Sequence, residues 1–331
     1  MTRRAWYDSR AVTATLPPDV QQAFERFVTT ELTTLDRHGQ PITWPVTPYY
    51  RAGGECIDVT TGLGYPKKAD DAARNPKVAL LFSDPTGSAM TAPPMVLVQG
   101  TAAVDDRDLD ANRERYVREA AEKLPATQSQ LPPKPLRRLF NWYFTRIYLH
   151  VRPERVYVWA GGDVTREPQL LDSHLEEVRS GHDEEPEGAQ APPAGGEASW
   201  DRRLEELGSR YRSAVLSFVA PDGFPFSVRV PVRADAGARA VRIEADPLGA
   251  PIVPGLACLT AHEHAEDFTW QRNFQVRGDL VERDGGWALV PHRLVGGFEL
   301  PPGSVIERAR MNFAKIRRFR RTARRELERR S

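Results

Sequence analysis

The sequence predicts a mainly β protein with helices (α+β), built as two barrel-like halves in tandem and closed by a C-terminal basic helix. Three observations carry that expectation. First, residues 180–199 read SGHDEEPEGAQAPPAGGEAS, rich in Pro, Gly and acid and without apolar periodicity, so they bury no core. They are expected as a disordered linker between residues 1–179 and residues 200–303. Second, each half opens with two β-rich runs joined by a turn. The turns are His38-Gly39 within Glu31–Pro48 and Asp222-Gly223 within Ala214–Val232. Third, each half later carries a strand interrupted by one glycine, Gly100 in Pro93–Asp106 and Gly278 in Gln271–Asp284. Such a glycine marks a bulge or a close backbone approach. The turn-to-strand intervals are 61 and 55 positions. Two landmarks in the same order argue for an internal duplication.

The other elements follow in order. Asp19–Leu32 places Val20, Ala23, Phe24 and Phe27 on one stripe and is expected as a helix. Strands are expected at Cys56–Thr60, Val78–Ser83 and Val156–Trp159, with helices at Asp108–Leu124 and Leu136–Tyr148. Phe140, Trp142, Tyr143, Phe144 and Tyr148 make that second stretch unusually aromatic, suited to core packing or a pocket wall. Pro168–Arg179 leads into the linker. The second half offers strands at Ala240–Glu244, Leu256–Ala261, Ala288–Pro291 and Gly297–Leu300. Short strands between Gly and Pro suggest a barrel or sandwich in each half. The last element, 304–331, opens with a capping box, Ser304 and Glu307. Ile316, Phe319, Ala323 and Leu327 form its narrow apolar stripe, and arginines crowd the rest. Such a helix can lie on a membrane surface or contact nucleic acid. The favoured reading docks the stripe on the barrels, with arginines solvated or paired to the acids of Asp183–Glu187, and no specific nucleic-acid partner.

Composition narrows the class. The 331 residues carry a formal net charge of +1, 40% apolar residues and a mean hydropathy of −0.51. The molecule as a whole therefore has no strong field for nucleic acid or anionic membrane. No apolar run approaches the ~20 residues of a transmembrane helix. Met1–Leu16 lacks the apolar core of a signal peptide, so a cytoplasmic protein is expected. Cys56 and Cys258 belong to no ligand set and read as buried thiols. His262-Glu263-His264 puts two histidines on one strand face. With no third ligand at a telling spacing, a polar strand end is expected rather than a metal site.

The chemistry is concentrated in Thr60–Pro85, TTGLGYPKKADDAARNPKVALLFSDP. A strand ends at Thr60-Thr61, a loop with Gly62 and Gly64 follows, then Lys67-Lys68 and a short helix, Ala69–Arg74, stopped at Asn75-Pro76. Glycines let backbone N–H groups approach an anion, and two lysines at a helix N-terminus add charge where the dipole already favours one. By itself the loop also suits a solvated lysine pair.

These residues resemble the flavin-binding split β-barrels of the pyridoxamine 5′-phosphate oxidase-like superfamily. That pattern runs from a Ser/Thr-Gly loop through a basic pair to a helix ending Arg-Asn/Asp-Pro and an apolar strand. It is met by Lys67-Lys68, Arg74-Asn75-Pro76 and Val78–Leu81, with Lys68 eight positions before Pro76. Gly39-Gln40-Pro41 before Pro45-Val46-Thr47, Val96–Gly100 and Val151–Trp159 match further elements in the same order. The resemblance implies two tandem split β-barrels forming an intrachain pseudo-dimer or pairing as a homodimer. It implies FMN as cofactor, or a deazaflavin, and an oxidoreductase acting on a small-molecule substrate. A non-catalytic carrier or sensor of flavin or haem is the alternative. Under this resemblance Lys68, with Lys67, meets the phosphate. Thr60 and Thr61 offer hydroxyls to phosphate or ribityl oxygens, and Pro45, Val46 and Thr47 flank the ring. Gln99 sits near the flavin edge, and Trp159 either stacks on the cofactor or closes the barrel core. No catalytic residue is implied. The corresponding stretch of the second half, Ala245–Asp267, has no lysine and no Arg-Asn-Pro stop, so a degenerate second site is expected. Arg229, Arg233 and Arg277 are candidates to reach across from it.

Overall fold

The computed structural model describes residues 16–130, 141–172, 200–297 and 305–330. The linker 180–199, Ser304 and the acids of Asp183–Glu187 lie outside the described residues. The first half contributes β1 (Thr30–Leu35), β2 (Pro41–Val46), β3 (Ile57–Gly62), β4 (Lys77–Phe82), β5 (Met95–Asp105), β6 (Arg146–Trp159) and β7 (Gln169–Asp172). The second contributes β8 (Ser213–Val219), β9 (Pro225–Asp235), β10 (Ala240–Ile243), β11 (Gly255–His264), β12 (Gln271–Arg283) and β13 (Gly286–Gly296).

The first sheet runs β2-β1-β4-β5-β6-β3, with β7 added to β6; the second closes as β9-β8-β11-β12-β13-β10. Adding seven to each strand number of the first path gives the second. The first path is bridged at its ends by Tyr49 and Asp58, which exchange backbone hydrogen bonds of 2.8 and 2.9 Å. These are two split barrels in tandem.

The strand glycines mark the same device in both. Register shifts fall between Gln99 and Gly100 in β5 and between Arg277 and Gly278 in β12. Gly100 faces Pro153 and Gly278 faces Pro291. A Cβ on Gly100 would lie 2.0 Å from the Arg152 carbonyl oxygen, and one on Gly278 would lie 2.0 Å from that of Val290. Both positions therefore need glycine for close approach. The turn glycines Gly39 (φ 76°) and Gly223 (φ 78°) take the left-handed conformation that a side chain disfavours.

Helices plug the first barrel. Helix α1 (Pro18–Arg26) buries Val20, Ala23 and Phe24, and α2 (Lys67–Arg74) buries Ala69 and Ala72, all in one core with Leu32, Val59 and Leu149. Helix α3 (Leu109–Lys123) starts on Asp108, whose carboxylate accepts from the Ala111 N–H at 2.9 Å. Several boundaries differ from expectation. The first helix ends at Arg26, and β1 begins at Thr30, because Thr29, Thr30, Thr33 and Thr34 favour extended backbone. Residues 136–148 do not form one helix. Asn141–Phe144 is a single turn, and from Arg146 a long strand alternates Arg146, Tyr148 and His150 with the core residues Ile147, Leu149 and Val151. Strand β7, Gln169–Asp172, lies at the start of the stretch expected to lead into the linker. Gly297 follows β13 without joining it, and 298–300 lie outside the described residues.

The barrels pack through β1, β2 and β4 of one against β8, β9 and β11 of the other. At the centre lies a square of hydroxyls. Thr33 and Thr43 are 2.8 Å apart across β1–β2, and Ser217 and Ser227 are 2.8 Å apart across β8–β9. Thr33 meets Ser227 at 2.8 Å, and Thr43 meets Ser217 at 2.7 Å. Equivalent positions thus contact reciprocally, the signature of a local twofold axis. Around it Leu81, Leu97 and Trp159 share an apolar cluster with Phe218 and Phe226.

Candidate cofactor site

Strand β3 delivers Thr60, Thr61 and Gly62 to one end of the first barrel, and α2 begins five residues later. The register pairs Gly62 with Arg146 at the start of β6. Ile57 and Val59 point into the core, so Asp58, Thr60 and Gly62 face outward with Arg146, Tyr148 and His150. Helix α3 covers that outer face.

The two lysines part company. Lys67 is about half exposed (51%) and pairs with Asp71 at 2.9 Å, one helical turn on. Lys68 is half-buried, its Nζ 5.4 Å from the centre of the Tyr65 ring. It makes no ion pair with any described carboxylate. Asp70 is taken by Arg329 and Arg330, each at 2.7 Å, and Asp71 by Lys67 and Arg74. Burial, reinforced by the neighbouring Arg146 charge, pushes the Lys68 ammonium down to about 8.

Arg146 is the centre of the site. It is only 6% exposed, yet its partners are neutral. Nη1 donates to the Tyr65 hydroxyl at 2.9 Å and Nη2 to the Tyr116 hydroxyl at 2.8 Å. The guanidinium lies 4.2 Å over the Tyr116 ring and 4.4 Å over the Tyr143 ring. Its Nε–H is buried and has no acceptor. An arginine stays protonated in a protein, and a buried cation without a counter-charge is costly unless an anion arrives. Gly62 keeps the wall thin, since a Cβ there would lie 3.0 Å from the Tyr65 ring and 3.2 Å from Arg146 Nη1. Beside the cation runs a satisfied polar network, with Tyr148 donating to Glu119 at 2.8 Å, His150 2.7 Å from Asp58, and Arg115 paired to both carboxylates.

The remaining residues implicated by sequence fall elsewhere. Thr60 is half-buried beside Tyr148, and the Thr61 hydroxyl donates to the Tyr65 carbonyl at 2.9 Å. Pro45, Val46 and Thr47 lie at the far end of β2, with Val46 in the barrel core. Gln99 is buried between the barrels and donates to the Pro225 carbonyl at 3.0 Å, while its Oε1 has no partner. Trp159 is fully buried in the inter-barrel cluster, 6.3 Å from Phe226, also with an unpartnered Nε1–H.

Of the second-barrel arginines, Arg229 is held by Glu31 at 2.9 Å and by Ser83, and Arg233 pairs with Glu244 at 2.7 Å. Arg277 donates to Gln275 at 2.7 Å. Burial lowers its pKa, and the carboxylates of Asp36 and Asp71 partly restore it. His262 is buried against Glu31 at 2.6 Å and Arg229 at 2.7 Å. Among the described residues no group of three or more ligand-type side chains is placed to hold a metal ion.

The second barrel inverts the charge of the site. Matching Pro153 to Pro291 and Ile57 to Val241 by register puts Glu244 where Thr60 stands and Asp246 where Gly62 stands. The position of Arg146 falls on Asp284, in the turn between β12 and β13. No counterpart of α2 or α3 is found among the described residues there.

The site therefore sits on one of two split barrels joined in tandem. No family model matches the chain, and no curated protein matches it. Similar solved structures include a protein of the pyridoxinephosphate oxidase family from Clostridium acetobutylicum, related to general stress protein 26. It is 12% identical over 46% of this chain and 92% of its own, with TM-score 0.34. An F420 reductase is 20% identical over 43% and 98%, with TM-score 0.32. The haem storage protein HutZ from Vibrio cholerae is 17% identical over 44% and 94%, with TM-score 0.31. Each of these three covers less than half of this chain.

Proposed function

We propose that this protein binds FMN or a deazaflavin, one per chain, by a phosphate held between Lys68 and Arg146, and works as a flavin-dependent oxidoreductase on a small molecule. The observation that carries the reading is a pair of adjacent, poorly solvated cations without a carboxylate, one with a buried and idle N–H donor. A phosphate oxygen satisfies both. The loop Thr61–Pro66 and the first turn of α2 lie alongside, where the helix dipole favours the same charge. A bound flavin would supply hydride transfer. The chain's own residues bind its tail, keep water from the cations and fix orientation. Entry of a phosphate requires Tyr65 to move off Gly62, since its hydroxyl now occupies Arg146 Nη1.

A visible-spectrum titration tests the reading with FMN and deazaflavin in parallel. One of the two binds with a perturbed absorption band. Lys68→Ala weakens it by about 1.5–3 kcal/mol, the range for a charge-assisted hydrogen bond. Unchanged affinity in Lys68→Ala removes the lysine from the site.

A further inference from the structure

Over residues 317–330, the C-terminal helix, Val305–Arg330, is docked by one face and exposed on the other. Phe319 packs on Tyr65 at 5.5 Å between ring centres, and Ala323 is buried in the first barrel's core. Arg330 pairs with Asp70, Asp106 and Glu326. On a helix of 3.6 residues per turn, Phe319, Ala323, Glu326 and Arg330 fall within roughly 60° of arc. Arg317, Arg318, Arg320, Arg321, Arg324 and Arg325 fall within roughly 160° on the opposite side. All six are exposed. Arg324 pairs with Glu328 at 3.4 Å, and the other five make no ion pair with any described residue.

We infer that this arginine face is a docking surface for the phosphate backbone of a nucleic-acid duplex, independent of base sequence. Three features select that occupant. The stripe from Arg317 to Arg325 runs ~12 Å along the helix axis, against a duplex that carries one negative charge per ~1.7 Å. The cations are all arginines, whose planar fork matches phosphate bidentately. A lipid surface fits less well. Amphipathic helices reach membranes by burying an apolar face among acyl chains, and here that face is already spent on the barrel. Leu327, at 44% exposure, is the large apolar side chain left open on the described part of the helix. The molecule's net charge of +1 does not oppose this, because the positive charge is gathered on one edge.

The test is fluorescence anisotropy of a labelled, mixed-sequence DNA duplex with the full chain at about 50 to 200 mM salt. The wild type binds, and its affinity falls steeply with salt. The triple variant Arg317→Gln, Arg321→Gln, Arg324→Gln loses three contacts, so its log–log salt slope shrinks by about 2.7 at 0.9 per contact. Its affinity at low salt drops at least about tenfold. All three side chains are exposed, and an unchanged circular dichroism spectrum shows that the helix is intact. No duplex binding by the wild type overturns the inference, as does equal binding by the variant. So does binding to phosphatidylserine vesicles while the duplex stays free.

Discussion

At the scale of single residues, the account turns on the charge of Lys68. Its ammonium is pushed down to about 8 by burial and the Arg146 charge. The protonated form attracts a phosphate and the neutral form does not. Ligand affinity should therefore be level from about pH 7, where the phosphate is doubly charged, to about pH 8, and fall above that by up to tenfold per unit, until the complex itself loses the proton. Lys68→Arg keeps its charge throughout that range and should flatten the profile. Titrations of FMN at neutral and alkaline pH measure this directly; a wild-type profile that is flat through pH 9.5 would refute it. Lys68 was legible in sequence because a basic pair, a glycine loop and a proline-stopped helix sit within a few residues of one another. Arg146 was not. It lies in a stretch crowded with aromatic and basic residues that reads as helix, and its meaning depends on facing Gly62 across two strands. The alternation of Arg146, Tyr148 and His150 with Ile147, Leu149 and Val151 has the period of a strand, but its pairing with β3 is set by the fold. Trp159 was undecided between stacking on a cofactor and core packing, because a buried aromatic looks the same in both; the barrel interface takes it.

At the scale of elements, the repeated bulge is the firmest link between sequence and fold. An isolated glycine in each of two strands signalled it, and the register shifts show the cause. The backbone of β6 presses on Gly100 and that of β13 on Gly278. Gly100→Ala and Gly278→Ala should each destabilise the protein by at least the ~1–3 kcal/mol typical of overpacking, read as a lower denaturant midpoint. An unchanged midpoint in either variant would show that the approach is not tight. What the sequence could not place is equally physical. The end of α1, where β1 takes over, and the start of β6 are set by pairing partners far along the chain, and local propensity there is ambiguous.

At the scale of the molecule, two barrels in one chain reproduce the reciprocal contacts of a symmetric dimer while freeing each half to diverge. The hydroxyl square on the local axis has kept its partners, Thr33 with Ser227 and Thr43 with Ser217. The site has not kept its charge. Glu244, Asp246 and Asp284 stand where the first barrel has Thr60, Gly62 and Arg146, and two of these carboxylates are already paired, Glu244 with Arg233 and Asp284 with Arg242. The missing lysine is legible in the sequence, whereas the carboxylates at the matched positions need the register.

The most direct measurement compares FMN with riboflavin, the same ring system without the phosphate, by calorimetric titration of the wild type and of Lys68→Ala. The account predicts one FMN per chain, bound roughly 10- to 100-fold more tightly than riboflavin, with most of that advantage gone in the variant. Equal affinity for the two ligands, or two FMN per chain, would contradict it.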